Sequence, residues 1–191
     1  MHTREVPFTL KDGRKALLRN PQNRDITGLL DYLVKSAGES GEFILRSPEE
    51  CGKYTAEGEA KWIETMNASE TSATLVCEVD GKIAGNCEVV RRTQLKLRHR
   101  ANIGVALTKE FWGLGIGTAM FQEMIQIAKG WDGVTQLELE FVEGNARARA
   151  LYEKMGFRIV SERPDAIRLR DGSFRKEYTM IKKLAQQSGQ D

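Results

Sequence analysis

The chain has 191 residues, 40% of them hydrophobic, enough to bury one sizeable core, and the length points to a single domain. Its 29 basic and 27 acidic residues leave a formal net charge of +2, too balanced to announce nucleic acid or an anionic membrane as a partner. Cys51, Cys77 and Cys87 form no CxxC pair and leave one over, which argues against a disulfide framework and for a reducing, cytoplasmic setting.

His2 and His99 stand far apart with no cysteine cluster beside them, so a metal site has little to be built from and none is expected. No apolar segment follows Met1–Glu5 and no run reaches membrane-spanning length, so no membrane association is expected. The basic run Arg91-Arg92 and Lys96 to Arg100 reads as a solvated hairpin or loop.

In chain order, Phe8 to Arg19 fits one or two short strands around Lys11-Asp12-Gly13. Asn20-Pro21 reads as cap and first residue of a helix whose apolar positions are Ile26, Leu29, Leu30, Leu33 and Val34, ending near Ala37-Gly38. Residues 38–54, rich in Glu, Gly and Ser, read as an irregular rim over a site. A second helix is predicted over about Ala56 to Ala68, burying Ala60, Ile63 and Met66 with Trp62 near one edge. Thr74–Val79 and Lys82–Val90 then pair across Asp80-Gly81, a strong hairpin signal.

A strand from about Ala101 to Leu107 leads into Phe111-Trp112-Gly113-Leu114-Gly115-Ile116-Gly117-Thr118, and an apolar helical pattern follows through Met120, Phe121, Met124, Ile125 and Ala128. Three glycines at alternate positions allow tight turning or close approach of a ligand. The unpaired N–H groups at a helix N-terminus suit a phosphate or pyrophosphate. This is not a P-loop, because Thr118 follows Gly117 where a lysine would be needed, and its spacing breaks the dinucleotide fingerprint. A turn with no ligand remains the bland alternative.

Thr135 to Val142 alternates Leu137, Leu139 and Phe141 with Glu138 and Glu140 on the opposite face. Asn145 begins a short helix with Ala148, Leu151, Tyr152 and Met155 on one side, ended by Gly156. A last hairpin joins Phe157–Val160 and Ala166–Leu169 to Phe174–Ile181 across Asp171-Gly172, before a polar tail over 185–191. The order predicts an α/β (α+β) domain over 1–184 with a mixed, mostly antiparallel sheet flanked by helices.

Two motifs in this order resemble the GNAT superfamily of acyl-CoA-dependent N-acetyltransferases. Trp112-Gly113-Leu114-Gly115-Ile116-Gly117 resembles the family's pyrophosphate loop, Gln/Arg-x-x-Gly-x-Gly/Ala, with Trp112 departing from its Gln or Arg. The block from Asn145 through Leu151-Tyr152 to Gly156-Phe157 resembles Asn-x-x-Ala-x-x-Leu-Tyr-x-x-x-Gly-Phe.

The resemblance implies acetyl-CoA as co-substrate, seated in a notch between the strand ending at Val105, Ala106 and Leu107 and the strand Thr135–Val142. Its diphosphate would lie on the backbone of Gly113, Leu114, Gly115, Ile116, Gly117 and Thr118, with Asn145 bonding the pantetheine or serving only as an N-cap. Tyr152 is implied as general acid toward the departing sulfur, against its reading as a core aromatic. Glu140 is the first candidate for general base, matching a glutamate in ribosomal-protein alanine acetyltransferases, and Glu138 on the same face is its rival.

The acceptor is expected to be a primary amine of a small molecule or protein N-terminus, with no nucleic acid partner and a homodimer as the family's common assembly. Glutamates between Glu39 and Glu59 would suit a cationic acceptor. An idle acyl-CoA-binding sensor and an enzyme for longer acyl chains are the alternatives.

Overall fold

The first two strands, β1 (Val6–Thr9) and β2 (Lys15–Arg19), fold back on each other around a turn in which Gly13 takes φ +90° and the Asp12 carboxylate accepts from the Arg14 N–H. In the computed structural model, which describes residues 1–184, this pair is one edge of an eight-stranded sheet of order β1-β2-β3-β4-β5-β6-β8-β7. The remaining strands are β3 (Ser72–Val79), β4 (Lys82–Arg91), β5 (Arg100–Leu107), β6 (Gln136–Val142), β7 (Arg158–Arg168) and β8 (Phe174–Lys183). All neighbouring pairs are antiparallel except β5 with β6. The polar tail expected over 185–191 lies outside the described residues.

The hairpin β3–β4 turns on Asp80 and Gly81, both at positive φ, the pair of left-handed residues that a two-residue hairpin loop requires. Alternation along these strands sends Leu75, Cys77, Cys87 and Val89 to one face, where they meet Met120, Phe121, Met124 and Ala128 of α4 (Ile116–Lys129). Full burial of the larger of these side chains, Leu75, Val89, Met120, Phe121 and Met124, contributes about 1.5–3 kcal/mol of transfer free energy each. The opposite face carries α1 (Ile26–Ser40) and α3 (Ala56–Ala68), whose Leu29, Tyr32 and Ile63 pack on Val76. A short helix, α2 (Pro48–Cys51), and α5 (Ala146–Lys154) complete the order.

Several sequence expectations are corrected. The first helix does not begin at Asn20-Pro21: Gln22 caps a 3-10 turn over Asn23–Asp25, and α1 continues from Ile26 to Ser40. Asn20 is instead held by tertiary bonds, accepting from the Thr3 N–H at 2.7 Å and donating to the Met1 and Thr74 carbonyls. In α3 the buried residues are Glu59 and Ile63, while Ala60 and Met66 are only half-buried. Residues 38–54 are not wholly irregular, since they hold the end of α1, a 3-10 turn at Gly41–Phe43 and α2. The strand expected in two pieces after Gly156 is one, β7, with register shifts against β8 near Ile159/Ser161 and Arg163/Ile167 absorbing the interruption.

One ion cluster anchors the start of α1. Arg19 is 2% exposed, and its guanidinium donates to Asp25 at 2.6 and 2.7 Å and to Glu78 at 2.6 Å. It ties the end of β2 to the helix entrance and to β3.

Candidate active site

The parallel pairing of β5 with β6 covers Arg100–Asn102 against Gln136–Glu138 and then stops. Beyond it β5 stays bound to β4 as far as Leu107, and β6 stays bound to β8 as far as Val142, so each strand follows its own partner and the two diverge. Backbone groups of β5 from Ile103 onward therefore face an opening instead of a strand. That opening is part of a cavity of about 650 Å³ lined by Val105, Ala106 and Leu107 on one side and Glu140 and Phe141 on the other.

The glycine loop forms the far end of the same cavity. Gly113 and Gly115 have φ +79° and +98°, and nothing lies within 4 Å of where a Cβ would stand on either. Glycine is required there by backbone conformation, and the space above is open. Gly115 caps α4, and among the described residues the N–H groups of Gly113 through Thr118 have no acceptor. Six unsatisfied donors at a helix N-terminus make a positive concavity that fits a diphosphate. Gly113, Gly115, Gly117 and Thr118 line the cavity, whereas the side chains of Leu114 and Ile116 turn into the core and leave only their backbone to the loop. Gly117 is needed for a second reason, since a Cβ there would stand 2.9 Å from Leu151 Cδ2 of α5.

Asn145 caps α5, its Oδ1 accepting from the Ala148 N–H at 3.2 Å, and it lines the cavity. About two turns along, Tyr152 packs between Phe121 and Phe141, with ring centroids 5.4 and 5.7 Å away. Its hydroxyl has no hydrogen-bond partner among the described residues. Burial pushes the phenol up to about 12, against a smaller opposing pull from Arg147, so it stays protonated at neutral pH.

The two glutamates of β6 separate in role. Glu138 is 6% exposed and is gripped by the Arg100 guanidinium and the Gln136 amide; although burial would raise its carboxyl, these hydrogen bonds win and hold it below the usual range. It is ion-paired to Arg100 across the two parallel strands. Glu140 is exposed, is free of any ion pair among the described residues, and lines the cavity beside the divergence.

Trp112, the departure from the family pattern, has two contacts. Its indole N–H donates to the Leu107 carbonyl at 3.0 Å, and the Arg147 guanidinium lies over its ring. Arg147 has no carboxylate partner within salt-bridge distance among the described residues and lines the cavity. The aromatic thus seats a cation from α5 where the pattern has Gln or Arg. Arg149, by contrast, is paired with Glu153 at 2.8 Å. We expect Arg147→Ala to raise KM for an acyl-CoA about 10-fold through a lost charge-assisted contact, with little change in kcat; steady-state kinetics at varied acyl-CoA measures both.

Sequence reasoning missed other residues. Phe43 and Ile44 roof the cavity from within the 38–54 stretch read as a rim, where neither was singled out, and Lys11 adds a cation from the β1–β2 turn. On β4, Glu88 pairs in register with Gly104 of β5, and its Cγ would lie 3.9 Å from a Cβ on Gly104. Its alternation with Asn86 was visible in the letters, but nothing there says that β5 carries a glycine opposite.

A sheet opened between its two parallel strands, with an acceptor-free amide loop below the opening and a phenol above it, defines an acyl-CoA-type transferase site. Residues 42–157 match the acetyltransferase (GNAT) family, and the chain belongs to it. It is similar to the L-amino acid N-acetyltransferase AaaT of Escherichia coli K12, at 26% identity over 63% of this chain and 74% of that one. Among solved structures, a GNAT-family acetyltransferase of Streptococcus pneumoniae superposes with TM-score 0.81 at 24% identity, covering 88% of this chain and 99% of the other. The structure of yncA from Salmonella typhimurium, solved with its cofactor acetyl-CoA, superposes with TM-score 0.74 at 17% identity, covering 91% and 96%.

Proposed function

We propose that this chain moves an acetyl group from acetyl-CoA directly to a primary amine of a small molecule or protein N-terminus. The observation that carries the reading is the row of acceptor-free N–H groups from Gly113 to Thr118 opening into the same cavity as the diverging strands and the unpartnered Tyr152 hydroxyl. The naming of AaaT as an L-amino acid N-acetyltransferase adds support for an amine acceptor. The three cysteines are all buried and unbridged, in keeping with the cytoplasmic setting expected from the sequence.

The residues divide the work as follows. Acetyl-CoA supplies an activated acyl group as a thioester. The amides of Gly113–Thr118, with Arg147 and Lys154 nearby, hold the diphosphate, and backbone groups of Val105–Leu107 align the pantetheine arm as an added strand. The same strand orients the thioester carbonyl and stabilises its developing negative charge. Glu140 accepts a proton from the incoming ammonium, directly or through a water, so that the neutral nitrogen attacks the carbonyl carbon. As the tetrahedral intermediate collapses and the C–S bond breaks, Tyr152 donates its hydrogen to the sulfur, the nitrogen gives up its remaining extra proton to solvent to leave the neutral amide, and the phenolate is reprotonated from solvent. Because a thiol's ordinary pKa, about 8.5, is well below that of the phenol, the thiolate leaves readily and the demand on Tyr152 is modest.

We therefore expect Tyr152→Phe to lower kcat about 10- to 100-fold with the KM for acetyl-CoA nearly unchanged. Two assays test the function as a whole: calorimetric titration with acetyl-CoA, and thiol release from acetyl-CoA over a panel of amines. Binding without thiol release from any amine would favour a sensor, and no binding would overturn the reading.

A further inference from the structure

A second cavity, of about 340 Å³, lies on the α1/α3 face of the sheet and is lined by Leu29 and Leu33 of α1, Glu59 and Trp62 of α3, Arg46 and Tyr54 of the connecting segment, and Asn86 and Glu88 of β4. It adjoins the opening described above through β5. Asn86 is in register with Ala106, and Glu88 with Gly104, both of which line the larger cavity. Gly104 has no side chain to wall off the two spaces. Glu140 shares this face from the other side of β5, because Asn102 is in register with Glu138 two residues before.

Glu59 is the unusual member. It is 8% exposed, yet its carboxylate has no hydrogen bond and no ion pair among the described residues. Helix-dipole stabilisation does not require this, since the exposed Glu57 already serves the first turn of α3. A nearly buried carboxylate without a partner is unfavourable, and an ammonium group entering the cavity would relieve it. Burial raises its pKa, and Arg46, the other charge that it feels, lowers it. Glu88 is exposed into the same space, also without a partner. Arg46 is exposed at the rim, has no carboxylate within salt-bridge distance, and sits over the Tyr54 ring. The leucines and Trp62 form an apolar wall.

The charges are therefore ordered, with carboxylates inside and beside the opening and a guanidinium at the mouth. A cavity near the lower end of the range of about 300–1,000 Å³ for small-molecule sites suits a compact ligand. We propose that this cavity is the acceptor pocket, and that it selects a free α-amino acid with an apolar side chain. Its ammonium lies between Glu59 and Glu88, its carboxylate on Arg46, and its side chain against Leu29, Leu33 and Trp62. The amine then faces Gly104 and the opening between β5 and β6. This rests on the acetyltransferase reading above and goes beyond it by fixing where and in what form the amine binds.

The test is steady-state acetylation of L-phenylalanine, L-leucine, 2-phenylethylamine and spermidine by the full chain, with acetyl-CoA binding measured separately by calorimetry. The amino acids are expected to be the better substrates, 2-phenylethylamine at least about 10-fold worse in kcat/KM, and spermidine poor because Arg46 guards the mouth. Glu88→Gln and the isosteric Glu59→Gln should each raise KM for L-phenylalanine about 10-fold or more, while the Kd for acetyl-CoA stays within about two-fold. Arg46→Gln should raise KM for L-phenylalanine but not for 2-phenylethylamine.

Glu88 is exposed, so its variant tests the idea even if Glu59→Gln fails to fold. An unchanged KM in Glu88→Gln, or equal use of 2-phenylethylamine and L-phenylalanine, would overturn the pocket. Failure to bind acetyl-CoA at all would instead overturn the transferase reading on which it rests.

Discussion

Glu140→Gln is expected to lower kcat by about 10²- to 10⁴-fold while acetyl-CoA affinity is unchanged, because glutamine keeps the shape of the side chain but cannot take a proton. The amine reaches the site mostly as ammonium, and its lone pair is unavailable until that proton leaves. Of the two carboxylates on β6, only Glu140 is free to accept it, since Glu138 is committed to Arg100 and Gln136. Single-turnover thiol release at saturating acetyl-CoA and amine reads the chemical step directly. A rate within two-fold of the parent would show that the proton leaves by another route. Glu138→Gln supplies the contrast: its effect should appear in stability, because it removes the counter-charge of a partly buried arginine and replaces one of its two acceptor oxygens with a donor.

Replacing Arg19 by alanine should destabilise the fold by about 3–5 kcal/mol, the cost of leaving a buried carboxylate without its counter-charge. Both Asp25 oxygens receive an Arg19 N–H, and Glu78 receives two more bonds from the same guanidinium. Burial pushes the Asp25 carboxyl up, but the Arg19 bonds and the Gln22 N–H together outweigh it and hold it below its ordinary value. A carboxyl depressed in the folded state stabilises the fold above its unfolded pKa, near 4, and that stability is lost as pH falls through the folded value. In Arg19→Ala the burial, the Gln22 bond and the weaker pull of Arg24 remain but the Arg19 bonds are gone, so the difference between parent and variant should be full above about pH 5 and shrink on acidification. Urea unfolding at a series of pH values measures it; a pH-independent difference would mean that lost packing, and not the ion pair, accounts for the loss.

The parts of the site that were legible in the sequence are the ones written in contiguous letters. Gly113, Gly115 and Gly117 announce a tight turn before a helix, and Asn145 announces a cap. Asp80-Gly81 announces a hairpin. In each case the signal is local, because a positive φ or an unpaired helix N–H is satisfied within a few residues of the position that needs it. The alternation of Leu137, Leu139 and Phe141 with Glu138 and Glu140 likewise fixed two faces. It could not say which glutamate would be neutralised, since Arg100 lies 38 residues away. The misplaced start of α1 has the same origin. Asn20 has the letters of a helix cap, but its amide is drawn off by Met1, Thr3 and Thr74, and the cap moves on to Gln22.

By itself, then, the chain of letters determined the family, the glycine cradle, and the presence of a phenol and a carboxylate on the elements around it, because motif spacing and hydrophobic period act over short range. Tertiary structure alone decided which groups remain free to act. The divergence of β5 from β6 arises because each is bound to a different outer neighbour. Glu138 is withdrawn by Arg100, Trp112 carries Arg147, and Glu59, Glu88 and Arg46 meet around one apolar hollow. Those groups come from segments distant in sequence, and a charge's role depends on what surrounds it once the chain has closed.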